Sequence, residues 1–205
     1  MVNEMPLLPW QPTLTLLLAA TVIMGSPGPS TISVTAVGAA YGFRRALPYA
    51  GGLILGTTAV LLAVAVGVVA VLMSVPHGST ALLGLSAIYL LYLAWRIATA
   101  PPLSANGYDV AAPALAGGFL LAIANPKAYV AIAAVFASVR LAAGTAPDAV
   151  AKILLLGGMI VLIHLVWLGI GASLARLLRD PRLSRAVNIA LAVALVATTA
   201  RVVLP

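Results

Sequence analysis

The chain has 205 residues, 63% of them hydrophobic and only 7% charged, with a net charge of +7. Soluble globular domains carry about 25% charged residues, so this composition excludes a soluble enzyme or binding module and reads as an integral membrane protein, with a mean hydropathy of +1.15. Cysteine is absent, which rules out disulfides, thiolate metal sites and thiol redox chemistry. The basic residues neither cluster nor interleave with exposed aromatics, so no nucleic acid is expected, and they read as cytoplasmic anchors instead. At about 20 residues per span the length predicts six transmembrane helices in one transporter-sized domain, residues 1–205, with no soluble domain.

Before the first apolar run lie Glu4, Pro6, Pro9, Trp10 and Pro12, with no Lys or Arg. That lead lacks the positive region of a signal peptide, so the first helix is expected to be retained, with Trp10 at the headgroups. The first span, 13–37, carries Ser26-Pro27-Gly28-Pro29-Ser30 near its centre. Proline removes a backbone donor and clashes with the preceding turn, so a helix cannot pass through unbroken. A polar loop, Gly42-Phe43-Arg44-Arg45, leads to a second span over 48–73, with Pro48 in its first turn. Pro76-His77-Gly78 turns the chain into a third span, 80–97, ending in an aromatic belt of Tyr89, Tyr92 and Trp95 closed by Arg96. Residues 99–113 form a polar seam, and a fourth span over 114–139 holds a second break, Asn125-Pro126-Lys127. The fifth span covers 150–174, and a basic loop with Arg176, Arg179, Asp180, Arg182 and Arg185 precedes the sixth, 186–204.

The expected fold is therefore all-α, with two three-helix repeats, about 13–98 and 114–204. Three spans per repeat make the second enter from the opposite face, an inverted repeat whose broken helices 1 and 4 meet near the midplane. Loops after spans one, three and five hold seven basic residues, Arg44, Arg45, Arg96, Arg176, Arg179, Arg182 and Arg185, against Arg140, Lys152 and Arg201 on the other side. The positive-inside rule then puts both termini outside a cytoplasmic (inner) membrane.

Breaking the first helix at Pro27-Gly28-Pro29 creates a helix N-terminus inside the bilayer, whose unpaired N–H groups and positive dipole end suit an anion. Gly28 allows close approach, and Ser26, Ser30 and Ser33, at i, i+4 and i+7, are expected on one face. A lone proline kink is ordinary in packing helices; two matched breaks are the pattern of a transporter binding site. A lysine at the centre of a span costs about 2.5–3.5 kcal/mol on insertion scales. Lys127 lies midway between the seam and Arg140, too far to snorkel, so it is expected to serve as countercharge to a substrate carboxylate, with Asn125 and the broken backbone at Pro126 adding hydrogen bonds. His164 shares a face with Gly157 and Gly171. It is either a structural histidine bonded to a neighbouring carbonyl or a proton carrier, its ordinary pKa of about 6.5 suiting that role. Gly38/Gly42 and Gly52/Gly56 are small-xxx-small pairs that permit close helix approach, and the glycine-rich faces permit a homodimer.

The chain resembles the LysE/RhtB family of amino-acid exporters over nearly its whole length. The resemblance is carried by Pro27-Gly28-Pro29, by Gly42-Phe43-Arg44-Arg45 through Gly52 and Gly56, by Tyr89-Leu90-Leu91-Tyr92-Leu93-Ala94-Trp95 and by Asn125-Pro126-Lys127-Ala128. It implies a six-span protein that exports amino acids or similar small metabolites on an ion gradient. Ala46 and Ala94 stand where glycine is expected, and Thr57 stands where many members carry an acidic or more polar residue. Glu4, Asp109, Asp148 and Asp180 all fall in termini or loops, so no carboxylate lies in a span to carry protons.

Transport is thus expected to be secondary-active efflux, with Lys127 holding the carboxylate and His164 the coupling proton. A neutral amino acid is preferred over lysine or arginine because no intramembrane acid faces a second cation. No catalytic residue, metal or cofactor is expected. The alternatives are a passive channel, a structural membrane partner, or an intramembrane serine hydrolase built on Gly25-Ser26-Pro27-Gly28 with His164 as base.

Overall fold

The structure, a computed structural model, describes residues 10–67, 78–99, 112–177 and 181–203, and among these every regular element is helical. Helix α1, Trp10–Ala19, takes Pro12 in its first turn, where its missing N–H costs nothing. It runs into a π-helical turn, Ala20–Met24, closed by Gly25 N–H donating to Ala20 O at 3.1 Å. After residues 25–28 the chain restarts as α2, Pro29–Tyr41, bent by 67° from the preceding segment. Helix α3, Phe43–Ala65, follows after Gly42 alone, whose φ of 77° makes the turn. Beyond it come α4, Gly78–Ala98; α5, Leu115–Ala124; α6, Pro126–Ser138; α7, Thr145–Leu177; and α8, Pro181–Val203. Helices α5 and α6 are bent by 64° at Asn125.

By length and composition α3 and Thr145–Leu174 of α7 are able to cross a bilayer, and each bent pair is too if counted as one span. The third and sixth predicted spans fall on α4 and α8, whose apolar stretches among the described residues, Ala87–Ala98 and Arg185–Ala197, are shorter. The rim of exposed apolar side chains, Leu14, Val22, Leu55, Leu62, Leu154, Leu162 and Val166 among them, is the surface that lipid would cover.

Several local expectations are corrected. Gly42-Phe43-Arg44-Arg45 is not a loop: the left-handed Gly42 lets the helix restart at once, so the arginines sit in the first turn of α3 and Pro48 lies inside the helix, not at its start. Gly42 is consequently a turn residue, and only Gly38 of that pair is packed. Arg182 and Arg185 belong to the first turns of α8, not to a loop. Pro76, His77, Arg179, Asp180, the seam from 100 to 111 and the lead up to residue 9 lie outside the described residues.

Helices approach at backbone contact where the small residues fall. A Cβ on Gly52 would strike the Leu115 carbonyl, one on Gly118 the Tyr49 carbonyl, and one on Gly171 the Thr35 carbonyl. These contacts lock α3 to α5 and α2 to α7 by van der Waals packing, the force left to helices once both sides of the contact are apolar. A Cβ on Gly157 would meet nothing within 4 Å, and the expected Gly157/His164/Gly171 face is buried at only two of its members. A seven-residue step drifts by about 20° on a straight helix, which carries the third position off the seam.

The buried apolar side chains form two clusters; α3, α7 and the two broken segments contribute to both, while the buried residues described on α4 and α8 belong to one. On α3, Leu53 belongs to one and Val60 and Leu61 to the other, with Thr57 between; on α7, Leu168 and Ile160 flank His164. Across the second break, Leu121 and Tyr129 flank Asn125, and across the first, Ala20 and Val34 flank residues 25–30. A polar layer therefore lies between two apolar ones, and both breaks fall in it.

Candidate functional site

The two breaks are built alike. Each restarts with proline at the first helical position, Pro29 in α2 and Pro126 in α6. Proline suits that position, where an N–H would be unpaired anyway. At the first break Gly28 N–H donates to Thr31 Oγ1 at 2.8 Å. At the second, Asn125 Oδ1 accepts from Lys127 N–H at 3.1 Å. At the second break the first turn is then fully paired, since Pro126 has no N–H and Ala128 N–H donates to Asn125 O at 3.0 Å, whereas in α2 the Ser30 and Thr31 N–H groups keep no intrahelical partner.

The breaks touch each other directly. Asn125 Nδ2 donates to Ser30 Oγ at 2.9 Å. Lys127 Nζ donates to Ser26 O at 2.7 Å, Ser26 Oγ at 2.8 Å and Pro27 O at 3.0 Å. Those three acceptors account for all three N–H bonds of an ammonium. Two of them are carbonyls freed where the first helix ends, which in lipid need a donor. Gly28 is extended at φ −172°, a conformation open to any residue. Glycine is needed there for space: a Cβ would lie 2.7 Å from Lys127 Cδ and 2.8 Å from its Nζ.

A further link comes from α7, where Trp167 Nε1 donates to Gly25 O at 3.0 Å and Trp167 O accepts from Thr35 Oγ1 at 3.1 Å. His164, one turn away, is buried; its Nδ1 lies 2.8 Å from Ile160 O. The carbonyl can only accept, so Nδ1 carries the hydrogen.

Ser26, Gly28, Ser30, Asn125, Lys127 and His164 line one cavity of about 40 Å³, together with Thr31, Thr57 and an apolar wall that includes Met24, Ile132 and Ile163. Six of the residues singled out from the sequence thus meet at one place, although they come from three separate segments. Pro27, Pro29, Pro126 and Ser33 are not among its lining residues. The expected single face of three serines is not formed. Ser26 sits in the break, ahead of the helix that begins at Pro29, so helical spacing does not relate it to Ser30, and buried Ser33 donates to Ser30 O at 2.9 Å. Thr31, Thr57 and Trp167 are contributors that sequence reasoning missed as site residues.

A family model described as LysE type translocator matches residues 21–204, from the π turn through both breaks to the last helix. The chain belongs to the LysE type translocator family. Neither a curated protein nor a solved structure matches it. Membership in this translocator family makes the chain a multi-pass membrane protein that moves small molecules, and the cavity between the broken helices is its candidate site.

Proposed function

We propose that this protein is a secondary-active exporter of amino acids, with the substrate carboxylate bound where the two broken helices meet. The observation that carries the reading is the reach of Lys127 across the breaks to Ser26 and Pro27 beside a backbone that only glycine leaves open. An incoming carboxylate would exchange with these neutral acceptors for the ammonium, and find the N–H groups of the α2 first turn beside it. The cavity has room for only a few waters, so an amino acid would enter only as it widens.

Six spans in two inverted repeats, with both termini outside the inner membrane, accommodate this arrangement. The matched Gly28-Pro29 and Asn125-Pro126 restarts, the 67° and 64° bends and the 13-residue helices that follow support the repeat. His164 in the same cavity supports proton coupling. A homodimer would have to use other surfaces than Gly52, Gly118 and Gly171, which are packed inside the chain.

The hydrolase alternative is disfavoured by the same hydrogen bonds. Lys127, the amine nearest Ser26 Oγ, has all three N–H bonds engaged and offers no lone pair, while Ser26 Oγ itself donates to Ile23 O at 2.8 Å. Counterflow in proteoliposomes, scanned over the twenty amino acids, tests the proposal. Exchange that saturates supports a carrier; flux without saturation means a channel, and no flux of any amino acid overturns the substrate class.

A further inference from the structure

Two buried polar atoms in the central layer have no hydrogen-bond partner, Thr57 Oγ1 and His164 Nε2. Both residues line the cavity, and they are only 6% and 4% exposed. Unpaired polar atoms away from water are costly and uncommon, so each calls for an explanation. A threonine on a helix ordinarily returns its hydroxyl to the carbonyl four residues back, as Thr21 does to Leu17 O at 2.8 Å. Thr57 does not.

The chemistry of the missing partner can be read from the two atoms. With Nδ1–H committed to Ile160 O, the neutral imidazole presents Nε2 as an acceptor. Thr57 Oγ1 can accept as well. A group that satisfies both must donate N–H or O–H bonds. On the same cavity Lys127 supplies the positive charge, and the apolar wall of Met24, Ala131, Ile132, Ile160 and Ile163 offers nothing to a second charge.

Resting on the exporter reading above, we propose that Thr57 Oγ1 and His164 Nε2 are the acceptors for the α-ammonium group of a neutral aliphatic amino acid whose carboxylate meets Lys127, and that ammonium and proton compete for the same Nε2 lone pair. Proton-loaded His164 has an N–H where the lone pair was and a positive charge beside the ammonium site, so it cannot hold the substrate. Hydronium on the outer side protonates Nε2 once the substrate has left, and that proton is released to water as hydronium on the inner side before the next substrate binds. Exchange of one for the other is antiport. The groups that line the cavity with His164 agree with this: the π turn and first break bring Met24, Ser26 and Gly28, α2 brings Ser30 and Thr31, α3 brings Thr57, and none of them titrates. Among the described residues Lys127 from α6 is the single charged residue lining the cavity, and no carboxylate lines it.

Equilibrium binding to the full-length chain in detergent tests the proposal. The twenty amino acids are screened, and the tightest binder is compared with its deamino analogue, the carboxylic acid lacking only the amine. Wild type should prefer the amino acid by about tenfold or more, the value of one hydrogen bond to a charged group. Thr57→Val should weaken the amino acid several-fold and leave the deamino acid unchanged, while Thr57→Ser restores the preference. Wild-type affinity should fall as pH falls, and in His164→Gln the weakened affinity should no longer depend on pH. Equal weakening of both ligands by Thr57→Val, or an unchanged ratio, overturns the ammonium subsite while leaving amino-acid binding in place. A pH-independent wild type overturns the competition. Failure of every amino acid to bind removes the exporter reading itself and the subsite with it.

Discussion

Lys127 Nζ stands 2.8 Å from Ser26 Oγ across 101 residues of chain, joining the first helix break to the second. That strut makes two local accidents of proline placement into one site. Removing it by Lys127→Ala strands the Pro27 carbonyl, leaves Ser26 O only the 3.4 Å bond from Thr31 Oγ1, and deletes the charge proposed for the carboxylate. Truncating one partner of a hydrogen-bonded charge pair, here with the substrate carboxylate, costs about 2–5 kcal/mol, so transport should drop thirtyfold or more while membrane abundance stays near wild type. Lys127→Arg should restore charge but not rate, because a planar fork cannot place three donors on the same acceptors. Wild-type counterflow by Lys127→Ala would remove the lysine from the mechanism.

Glycine positions separate site effects from packing effects. A Cβ on Gly28 meets the far end of the flexible Lys127 side chain, which can move. Gly28→Ala should therefore keep thermal stability and lose transport, since the ammonium leaves Ser26 and Pro27. On Gly171 or Gly118 the Cβ meets carbonyl backbone of Thr35 or Tyr49, which cannot move without parting the helices. Gly171→Ala and Gly118→Ala should each lose about 1–3 kcal/mol, the usual cost of overpacking. Melting curves in detergent, read beside counterflow, distinguish the two classes; equal losses of stability at Gly28 and Gly171 would contradict the assignment.

How much of this was legible in the sequence follows from what makes each feature. Proline acts on its own backbone, so the breaks at Pro27–Pro29 and Asn125–Lys127 could be placed without knowing any neighbour. Gly52, Gly56 and Gly38 were legible as contact positions because small residues in an apolar helix have little other use. The Lys127–Ser26 bonds and the Trp167–Gly25 bond depend on which helices lie side by side, and no local pattern encodes that. Thr57 was visible only as a departure from a family pattern; its importance comes from a hydroxyl left without a partner, which only coordinates reveal. Gly42 was misread because glycine spacing looks the same whether it serves packing or a turn with positive φ.

A second ionic feature was treated from sequence only as a charge to be counted. Lys152 is buried and pairs with Asp148 at 2.8 Å, and its ammonium lies 5.0 Å from the centre of the Phe136 ring. Asp148 also accepts from Leu141 N–H at 2.6 Å and holds the turn between α6 and α7. Asp148→Asn leaves the lysine charge buried without its counterion, a change that typically costs about 3–5 kcal/mol. The double variant Asp148→Asn with Lys152→Met should recover much of that stability, because it removes the stranded charge. A double variant no more stable than Asp148→Asn alone would show that the turn, and not the charge, is what the pair supports.

Orientation rests on seven basic residues against three. The Asp148 partner of Lys152 does not alter the comparison, since acidic residues contribute little to the positive-inside rule. A reporter fused after Pro205 should read as external, and one inserted at Asn106 as cytoplasmic. The reverse pattern would invert the direction of every step proposed here while leaving the site intact.

Energy coupling gives the most demanding test. Uphill export by proton antiport needs a group that gains and loses a proton during the cycle. Arginine does not do so, and Lys127 has its three N–H bonds committed to Ser26 and Pro27. His164 remains, with one nitrogen tied to Ile160 O and the other unpartnered beside the cavity. In His164→Gln the amide can still accept a hydrogen bond but cannot take up a proton. Counterflow between equal pH on both sides should persist at reduced affinity, since exchange of substrate for substrate needs no proton. Export against a gradient, driven by external acid, should disappear. Two measurements on the same proteoliposomes decide it: labelled substrate exchange without a pH step, and net accumulation with one. If His164→Gln still accumulates substrate with the wild-type dependence on pH, the histidine is a structural residue bonded to Ile160, and the coupling ion binds elsewhere.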